Sequence, residues 1–174
     1  MRVVLITTSY NTVRETLESL SDSVEVHVID CINYNNGTIA EIRKNIISEL
    51  EKYYFEKGAP DILLTYRCPC LLPKCLYSQA SLGAFNIHPS LLPKYQGLNP
   101  WEEIFRQKES ENGVTLHLLS EIADSGDIVL QEKYCINPDE TMASARKKAD
   151  VIAGKMVHTS IEIWIRSYRV LCMM

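Results

Sequence analysis

The chain has 174 residues and a formal net charge of −4. This length suits one domain that buries a core without disulfides or a structural metal. The acidic balance gives no general attraction to polyanions, so extended nucleic-acid binding is not favoured. The apolar run after Met1 is too short for a signal peptide or a membrane span, and we therefore expect a cytoplasmic protein without membrane contact.

Six cysteines are present, and we expect them to be reduced because no secretion signal precedes them. Cys68, Cys70 and Cys75 form a local cluster. The cluster lacks the paired CxxC elements of a structural zinc site. We therefore expect no metal and interpret these residues as small buried apolar side chains, with a metal site as the alternative.

The first part of the chain alternates between strand and helix patterns. β-branched runs predict strands at 2–8 and 24–29, and apolar residues at helical spacing predict helices at 12–20 and 39–55. The connection SYNT after the first strand contains no glycine, so the chain has no GxGxxG motif or P-loop for a phosphate. His27, in the second strand, is interpreted as a solvated position.

The alternation continues through the middle of the chain. The sequence predicts a strand at 61–66, a brief helix at 74–79, a strand that ends at His88, and a helix at 100–106 with Asn99 as its N-cap. Four strand–helix units in succession predict an α/β fold with a single doubly wound, mostly parallel sheet.

The pattern changes towards the end of the chain. Strand-like runs at 113–120 and 127–136 are joined by a connection too short for a parallel crossover. They should therefore form an antiparallel pair at one side of the sheet. The last segment, 139–168, predicts one long helix or two, with Thr141 as a cap. We expect a single domain over residues 1–174.

The stretch GAFNIHPSLLPKYQG contains the clearest candidates for chemistry. Asn86 and His88 lie two residues apart at the end of a strand, so both project from the same face. Pro89 ends that strand. The side-chain N–H groups of Asn86 and His88 can donate to one developing oxyanion, as acyl transfer requires. The alternative is an asparagine that caps a turn beside a histidine bonded to a loop carbonyl.

This stretch also carries a family resemblance. NIHPSLLP followed by YQG, and the later ADSGDIVLQ, resemble the formyltransferases that use 10-formyltetrahydrofolate, including glycinamide ribonucleotide and methionyl-tRNA formyltransferases. The resemblance covers most of 61–131 and implies a Rossmann-like fold with an Asn-His-Asp set. Asp124 matches the aspartate of that set. Asp127 is the nearest alternative residue for this role. The alternative role for Asp124 is structural, as a turn aspartate that bonds its own backbone. His117 lies on the strand that leads to Asp124. It either contacts this set, since the family often has a histidine there, or is a satisfied polar position in the sheet, and it stays outside the set.

The resemblance implies a reaction in which an amine attacks the formyl carbon of 10-formyltetrahydrofolate without a metal. Asn86 and His88 would stabilise the oxyanion. Asp124 would raise the pKa of His88, keep it protonated, and assist proton transfer. The folate would lie against two loops, at Leu71, Leu72, Ser120, Glu121, Ile122 and Ala123. Gln96 and Gly97, with Leu98 and Asn99, would border the acceptor.

The acceptor is left open by two departures from the family pattern. Glycinamide ribonucleotide formyltransferases have a glycine-rich loop where this chain has TTSYNT, and usually an arginine where Cys70 lies. Methionyl-tRNA formyltransferases add a C-terminal β-barrel domain, which we do not expect here. A small-molecule amine is expected ahead of tRNA. The alternatives are a degenerate folate-binding or regulatory domain, and a hydrolase that releases formate.

Overall fold

A computed structural model describes residues 1–20, 24–34 and 37–172. The strands and α-helices of these residues are, in chain order, β1 (Arg2–Thr7), α1 (Tyr10–Glu18), β2 (Glu25–Asp30), α2 (Ile39–Lys57), β3 (Ile62–Tyr66), α3 (Lys74–Tyr77), β4 (Gly83–His88), α4 (Pro100–Arg106), β5 (Glu111–Leu118), β6 (Ile128–Cys135) and α5 (Met142–Cys172). A short 3-10 helix, Cys31–Tyr34, follows β2.

The strands form one six-stranded sheet in the order β2-β1-β3-β4-β5-β6. The first four strands of the chain pair in parallel, and β5 pairs antiparallel with both β4 and β6. This confirms the predicted α/β fold, with its mostly parallel sheet and its antiparallel pair at one side.

Two apolar layers cover the sheet because alternate strand residues point to opposite faces. Val3, Leu64 and Phe85 belong to the core beneath α1, α4 and α5. Val4 and Leu63 belong to the second core, beneath α2 and α3. β1 and β3 are buried on both faces, which explains why their sequences read as continuous apolar runs.

The helix ends follow the local sequence in most places. Thr38 and Glu41 form a capping box at the start of α2, with Thr38 N donating to Glu41 Oε2 at 2.7 Å. Thr141 Oγ1 accepts from Ser144 N at 3.2 Å, as predicted for the last helix, which is one helix and not two. The prediction for Asn99 is wrong in part: it occupies the N-cap position of α4, but its side chain makes no capping bond.

The prediction for His27 is wrong in part. Its ring stacks on Tyr53 of α2, with ring centroids 4.6 Å apart, so His27 is a half-buried, packed side chain and not a freely solvated one. Among the residues that the structure describes, no helix combines the length and apolar character needed to cross a bilayer.

Candidate active site

A row of polar side chains crosses three neighbouring strands on the face covered by α3. Thr65 of β3 pairs with Asn86 of β4, and Asn86 pairs with His117 of β5. Residues paired across strands project from the same face, so the register alone brings the three side chains together. Thr65 Oγ1 donates to Asn86 Oδ1 at 2.7 Å, and Asn86 Nδ2 lies 3.0 Å from His117 Nε2.

The tautomer of a neutral His117 ring follows from its other contact. His117 Nδ1 lies 2.9 Å from the carbonyl oxygen of Leu118, which can only accept. Nδ1 therefore carries the hydrogen, and Nε2 accepts from the Asn86 amide. Both ends of the Asn86 amide are therefore held: its oxygen accepts from the Thr65 hydroxyl, and its nitrogen donates to His117 Nε2.

Asp124 closes this row from the loop between β5 and β6. Its Oδ1 accepts from Asn86 Nδ2 at 3.2 Å and lies 3.5 Å from His117 Nε2. Its Oδ2 accepts from Gly97 N at 2.8 Å and lies 3.4 Å from His88 Nδ1. The Asp124 backbone has a φ of 52°, in the left-handed region that aspartate tolerates better than most residues. The structure thus brings Asn86, His88 and Asp124 into direct contact.

His88 is held from the other side by the loop that follows β4. Its Nε2 lies 2.8 Å from the carbonyl oxygen of Tyr95, so Nε2 carries a hydrogen. In the neutral ring, Nδ1 then presents a lone pair to the Asp124 carboxylate. A proton placed between Nδ1 and Oδ2 would be bound by both atoms.

The charges of this pair differ from the sequence-based expectation. Burial lowers the pKa of His88, and the opposing effect of the Asp124 carboxylate does not restore it to its ordinary value. Burial raises the pKa of Asp124, but other contacts, including the hydrogen bond from Gly97 N–H, outweigh it, and the pKa is lowered overall. Asp124 is therefore ionised and His88 neutral near pH 7. The prediction that Asp124 keeps His88 protonated is wrong for this state, because desolvation dominates.

The two expected oxyanion donors are also engaged within the site. Asn86 directs its amide hydrogens at His117 Nε2 and Asp124 Oδ1. His88 directs its Nε2 hydrogen at Tyr95 O. A substrate oxygen must therefore displace one of these internal acceptors before Asn86 or His88 can bind it.

The predicted acceptor residues contact the same aspartate. Gln96 Nε2 donates to the Asp124 carbonyl oxygen at 2.9 Å, and Gly97 N donates to its carboxylate. Gly97 has a φ of 102°, which strongly favours glycine. The loop after β4 therefore positions both His88 and Asp124. The rival candidate, Asp127, is exposed, and its backbone carbonyl accepts from Leu118 N in the sheet.

The six residues expected to bind folate lie on two loops, and an ion pair connects the start of α3 to the second loop. Lys74 Nζ lies 3.2 Å from Glu121 Oε2. Leu71 is 56% exposed and Ile122 is 73% exposed, although both are large apolar side chains. Leu72 is partly buried against the second core. Ser120 Oγ donates to Ile122 O at 2.6 Å and so shapes the second loop, and Ala123 is half-buried.

Sequence reasoning missed the part played by Thr65 and left open whether His117 contacts the site. Both are buried, and both contact Asn86. A polar residue inside an otherwise apolar strand was the available signal for each. Among the side chains that the structure describes, no group of three or more His, Cys, Asp or Glu residues is arranged to hold a metal ion.

A doubly wound sheet that presents an amide, two imidazoles and a carboxylate on one face has the groups needed for acid–base chemistry on a bound small molecule. The family model described as formyl transferase matches residues 1–160. The chain belongs to the formyl transferase family.

Curated relatives accompany this match. The methionyl-tRNA formyltransferase of Coprothermobacter proteolyticus is 38% identical over 112 residues, which are 64% of this chain and 34% of that protein. The corresponding protein of Kosmotoga olearia is 36% identical over 98 residues, 56% of this chain and 32% of that protein. The chain spans about a third of the length of these curated relatives.

A solved structure shows the same fold. The phosphoribosylglycinamide formyltransferase of Anaplasma phagocytophilum superposes with a TM-score of 0.76 at 21% sequence identity, over 95% of this chain and 87% of that chain. At this identity the likeness concerns the fold alone.

Proposed function

We propose that this chain transfers a formyl group from 10-formyltetrahydrofolate to a primary amine at the site formed by Asn86, His88 and Asp124. The observation that carries the proposal is the convergence of these side chains on one carboxylate, in a chain of the formyl transferase family. Asp124 lies 3.2 Å from Asn86 Nδ2 and 3.4 Å from His88 Nδ1.

Asp124 and His88 together take up the proton of the attacking amine. Asp124 is ionised and His88 is neutral, with its Nδ1 lone pair 3.4 Å from the carboxylate oxygen Oδ2. A proton that arrives between these atoms converts an unfavourable contact into a hydrogen bond. The pair can then return the proton to the departing nitrogen, as a general base followed by a general acid.

Asn86 stabilises the negative oxygen of the transition state after a change of partner. Its second amide hydrogen points at Asp124 Oδ1 in this state. When Asp124 gains a proton, that oxygen becomes a weaker acceptor, and the amide hydrogen is released to the formyl oxygen. Proton uptake and oxyanion binding are thereby linked through one carboxylate. A single oxyanion donor is worth about 100–1000-fold in rate.

The folate co-substrate would be held by the two loops beside Asp124. Leu71 and Ile122 expose large apolar surfaces there, which suits contact with a flat heterocycle. An exposed ion pair between Lys74, at the start of α3, and Glu121 links the end of the first loop to the second. When bound, this co-substrate supplies the formyl group. The chain itself supplies orientation, the proton acceptor and the oxyanion donor.

The proposed acceptor is a small-molecule primary amine. The relatives include proteins named for methionyl-tRNA, and a solved structure named for phosphoribosylglycinamide has the same fold. The net charge of −4 gives no general attraction to a tRNA backbone, which supports the smaller class of acceptor.

A single-turnover assay tests the proposal. Folded wild-type protein, Asp124→Asn and the exposed control Asp127→Asn would be mixed with 10-formyltetrahydrofolate and a panel of amines, sugar amines and methionyl-tRNA. We expect formylated amine from the wild type and the control, and a loss of about 100–10,000-fold in Asp124→Asn.

The other outcomes are equally distinct. Formate produced at the same rate with and without any amine would identify a hydrolase. Binding of the folate without consumption of its formyl group would identify a degenerate binding domain. Full activity in Asp124→Asn would contradict the assignment of the site.

A further inference from the structure

Three cysteines from two separate segments meet beside the loop that follows β3. Cys31, directly after β2, is fully buried in the second core, and Cys68 and Cys70 pack partly buried against the same core. Cys75 is exposed on α3. The candidate cluster from the sequence is therefore divided: Cys68 and Cys70 belong together, and Cys75 does not join them. All four carry free thiols, as does the exposed Cys135; the side chain of Cys172 lies outside the described residues.

Cys68 and Cys70 interact directly. Cys68 Sγ donates to the Cys70 carbonyl oxygen at 3.3 Å. The backbone bends at Pro69 and Cys70, which turns the two residues towards each other. The CxC pair is thus already arranged as two neighbouring thiols on one bend.

The two thiols differ in charge. A hydrogen bond from Cys68 lowers the pKa of Cys70, and the Arg43 guanidinium adds to this effect against the cost of burial. The same hydrogen bond, with burial, raises the pKa of Cys68 well above its ordinary value. Burial also raises the pKa of Cys31, to about 12. The cluster therefore contains one activated, half-exposed sulfur and two protonated neighbours.

We propose that Cys68 and Cys70 are a redox-active dithiol that controls the loop carrying Leu71 and Leu72. In the first step, the Cys70 thiolate attacks a hydroperoxide; its sulfur is oxidised to the sulfenic acid, and the peroxide is reduced to hydroxide or alkoxide. In the second step, the Cys68 sulfur attacks the Cys70 sulfur, the S–O bond breaks, and the thiol proton leaves with the hydroxide as water. Overall, two thiols and one hydroperoxide give one disulfide and one water, together with a second water or an alcohol from the reduced peroxide.

The disulfide changes the loop because its geometry is tighter than that of the thiol pair. The sulfur atoms must approach to about 2.05 Å, and the hydrogen bond from Cys68 to the Cys70 carbonyl is lost. Leu71 and Leu72 follow Cys70 directly in the chain. We therefore expect oxidation to displace them and weaken folate binding, a consequence that rests on the proposed function. A labile disulfide at a partly exposed loop is typical of regulatory disulfides.

Peroxide titration followed by thiol alkylation and peptide mass spectrometry tests the dithiol. In the wild type we expect a mass decrease of two hydrogen atoms in the peptide that contains Cys68 and Cys70, reversed by dithiothreitol. Cys70 should react at least about tenfold faster than Cys75 or Cys135. Cys68→Ser should stop at a sulfenic acid that a cyclic diketone traps on Cys70, and Cys70→Ser should give neither product.

Neither the control variants nor the results that would overturn the dithiol depend on folate binding or formyl transfer. Cys75→Ser and Cys135→Ser should form the disulfide like the wild type. Faster oxidation of Cys75 or Cys135, or the absence of a Cys68–Cys70 link in folded protein, would overturn the dithiol.

Hydrogen exchange tests whether the disulfide changes the loop that carries Leu71 and Leu72. Amides of residues 71–72 should change their exchange rate on oxidation in the wild type and not in Cys68→Ser, and unchanged exchange would overturn this part. A folate analogue should bind about tenfold more weakly to the oxidised protein. If the reduced protein binds no analogue at all, the proposed function fails, while peptide mapping and hydrogen exchange still decide the dithiol.

Discussion

Thr65 offers a way to disturb the site without touching a reacting group. Its side chain is buried, and its hydroxyl donates to Asn86 Oδ1 at 2.7 Å. This bond determines which end of the Asn86 amide faces His117 and Asp124. Thr65→Val keeps the shape of the side chain and removes the donor, so the amide loses its preferred orientation.

The expected magnitudes follow from this single contact. An amide oxygen left without its donor costs about 1–3 kcal/mol of unfolding free energy. For a chain of this size the melting temperature should fall by roughly 2–12 °C. Complete loss of an oxyanion donor costs about 100–1000-fold in kcat, and a misoriented Asn86 should cost about 10–100-fold.

Thr65→Ser is the matched control. It removes one buried methyl group at a cost of about 1 kcal/mol and keeps the hydroxyl. The two variants should therefore have similar stability in urea unfolding and different rates in the single-turnover formyl transfer assay, with serine close to the wild type. Equal rates in Thr65→Val and Thr65→Ser would refute the positioning of Asn86 by Thr65.

Three further predictions follow from the fold and the site. A Cβ at Gly126 would overlap the carbonyl oxygen of Leu118, so Gly126→Ala should lose about 3 kcal/mol or more in urea unfolding, and an unchanged midpoint would contradict the packing of this loop. Ile104 is fully buried, and Ile104→Ala should cost about 2–5 kcal/mol in the same measurement. The lowered pKa of His88 makes the free energy of unfolding depend on pH. The stabilising contribution is complete above about pH 6.5 and is lost as the pH falls through the lowered pKa of the folded state, because the unfolded chain binds the proton first. Wild-type stability should therefore fall more steeply below about pH 6.5 than that of His88→Gln, and parallel pH profiles would refute a neutral, buried His88.

The order of strands and helices could be predicted because the local patterns are strong. The bounds of α4 match the predicted 100–106, since a proline at its first position fixes where the helix begins. The sequence predicts one helix or two for the last segment. The segment forms one helix, with Ala153 and Met156 held in the core on either side of Gly154.

The site could be predicted only in part because its contacts depend on strand register. Asn86 and His88 share a face by the two-residue period of a strand, which the sequence determines. The pairing of Asn86 with Thr65 and His117 depends on how β3 and β5 align with β4, and no local pattern specifies that alignment. The charge of His88 could not be predicted either, because it depends on burial.

Two other positions illustrate the same limit. His27 alternates with valines as a solvated residue would, yet α2 packs over it and Tyr53 stacks on its ring. Cys31 and Cys70 are distant in sequence and meet because β2 and the loop after β3 border the same core. Contacts between distant segments are set by tertiary packing, which overrides local pattern.

Calorimetric titration with a hydrolysis-resistant analogue of 10-formyltetrahydrofolate tests the central claim most directly. Leu71→Ser alters the exposed loop expected to hold the folate, and Phe55→Ser is the control, since Phe55 is 92% exposed at the far end of α2. We predict saturable binding to the wild type and to Phe55→Ser, and about tenfold weaker binding to Leu71→Ser. Folded wild-type protein that does not bind the analogue at its highest soluble concentration would contradict the proposal that this chain is a folate-dependent formyltransferase.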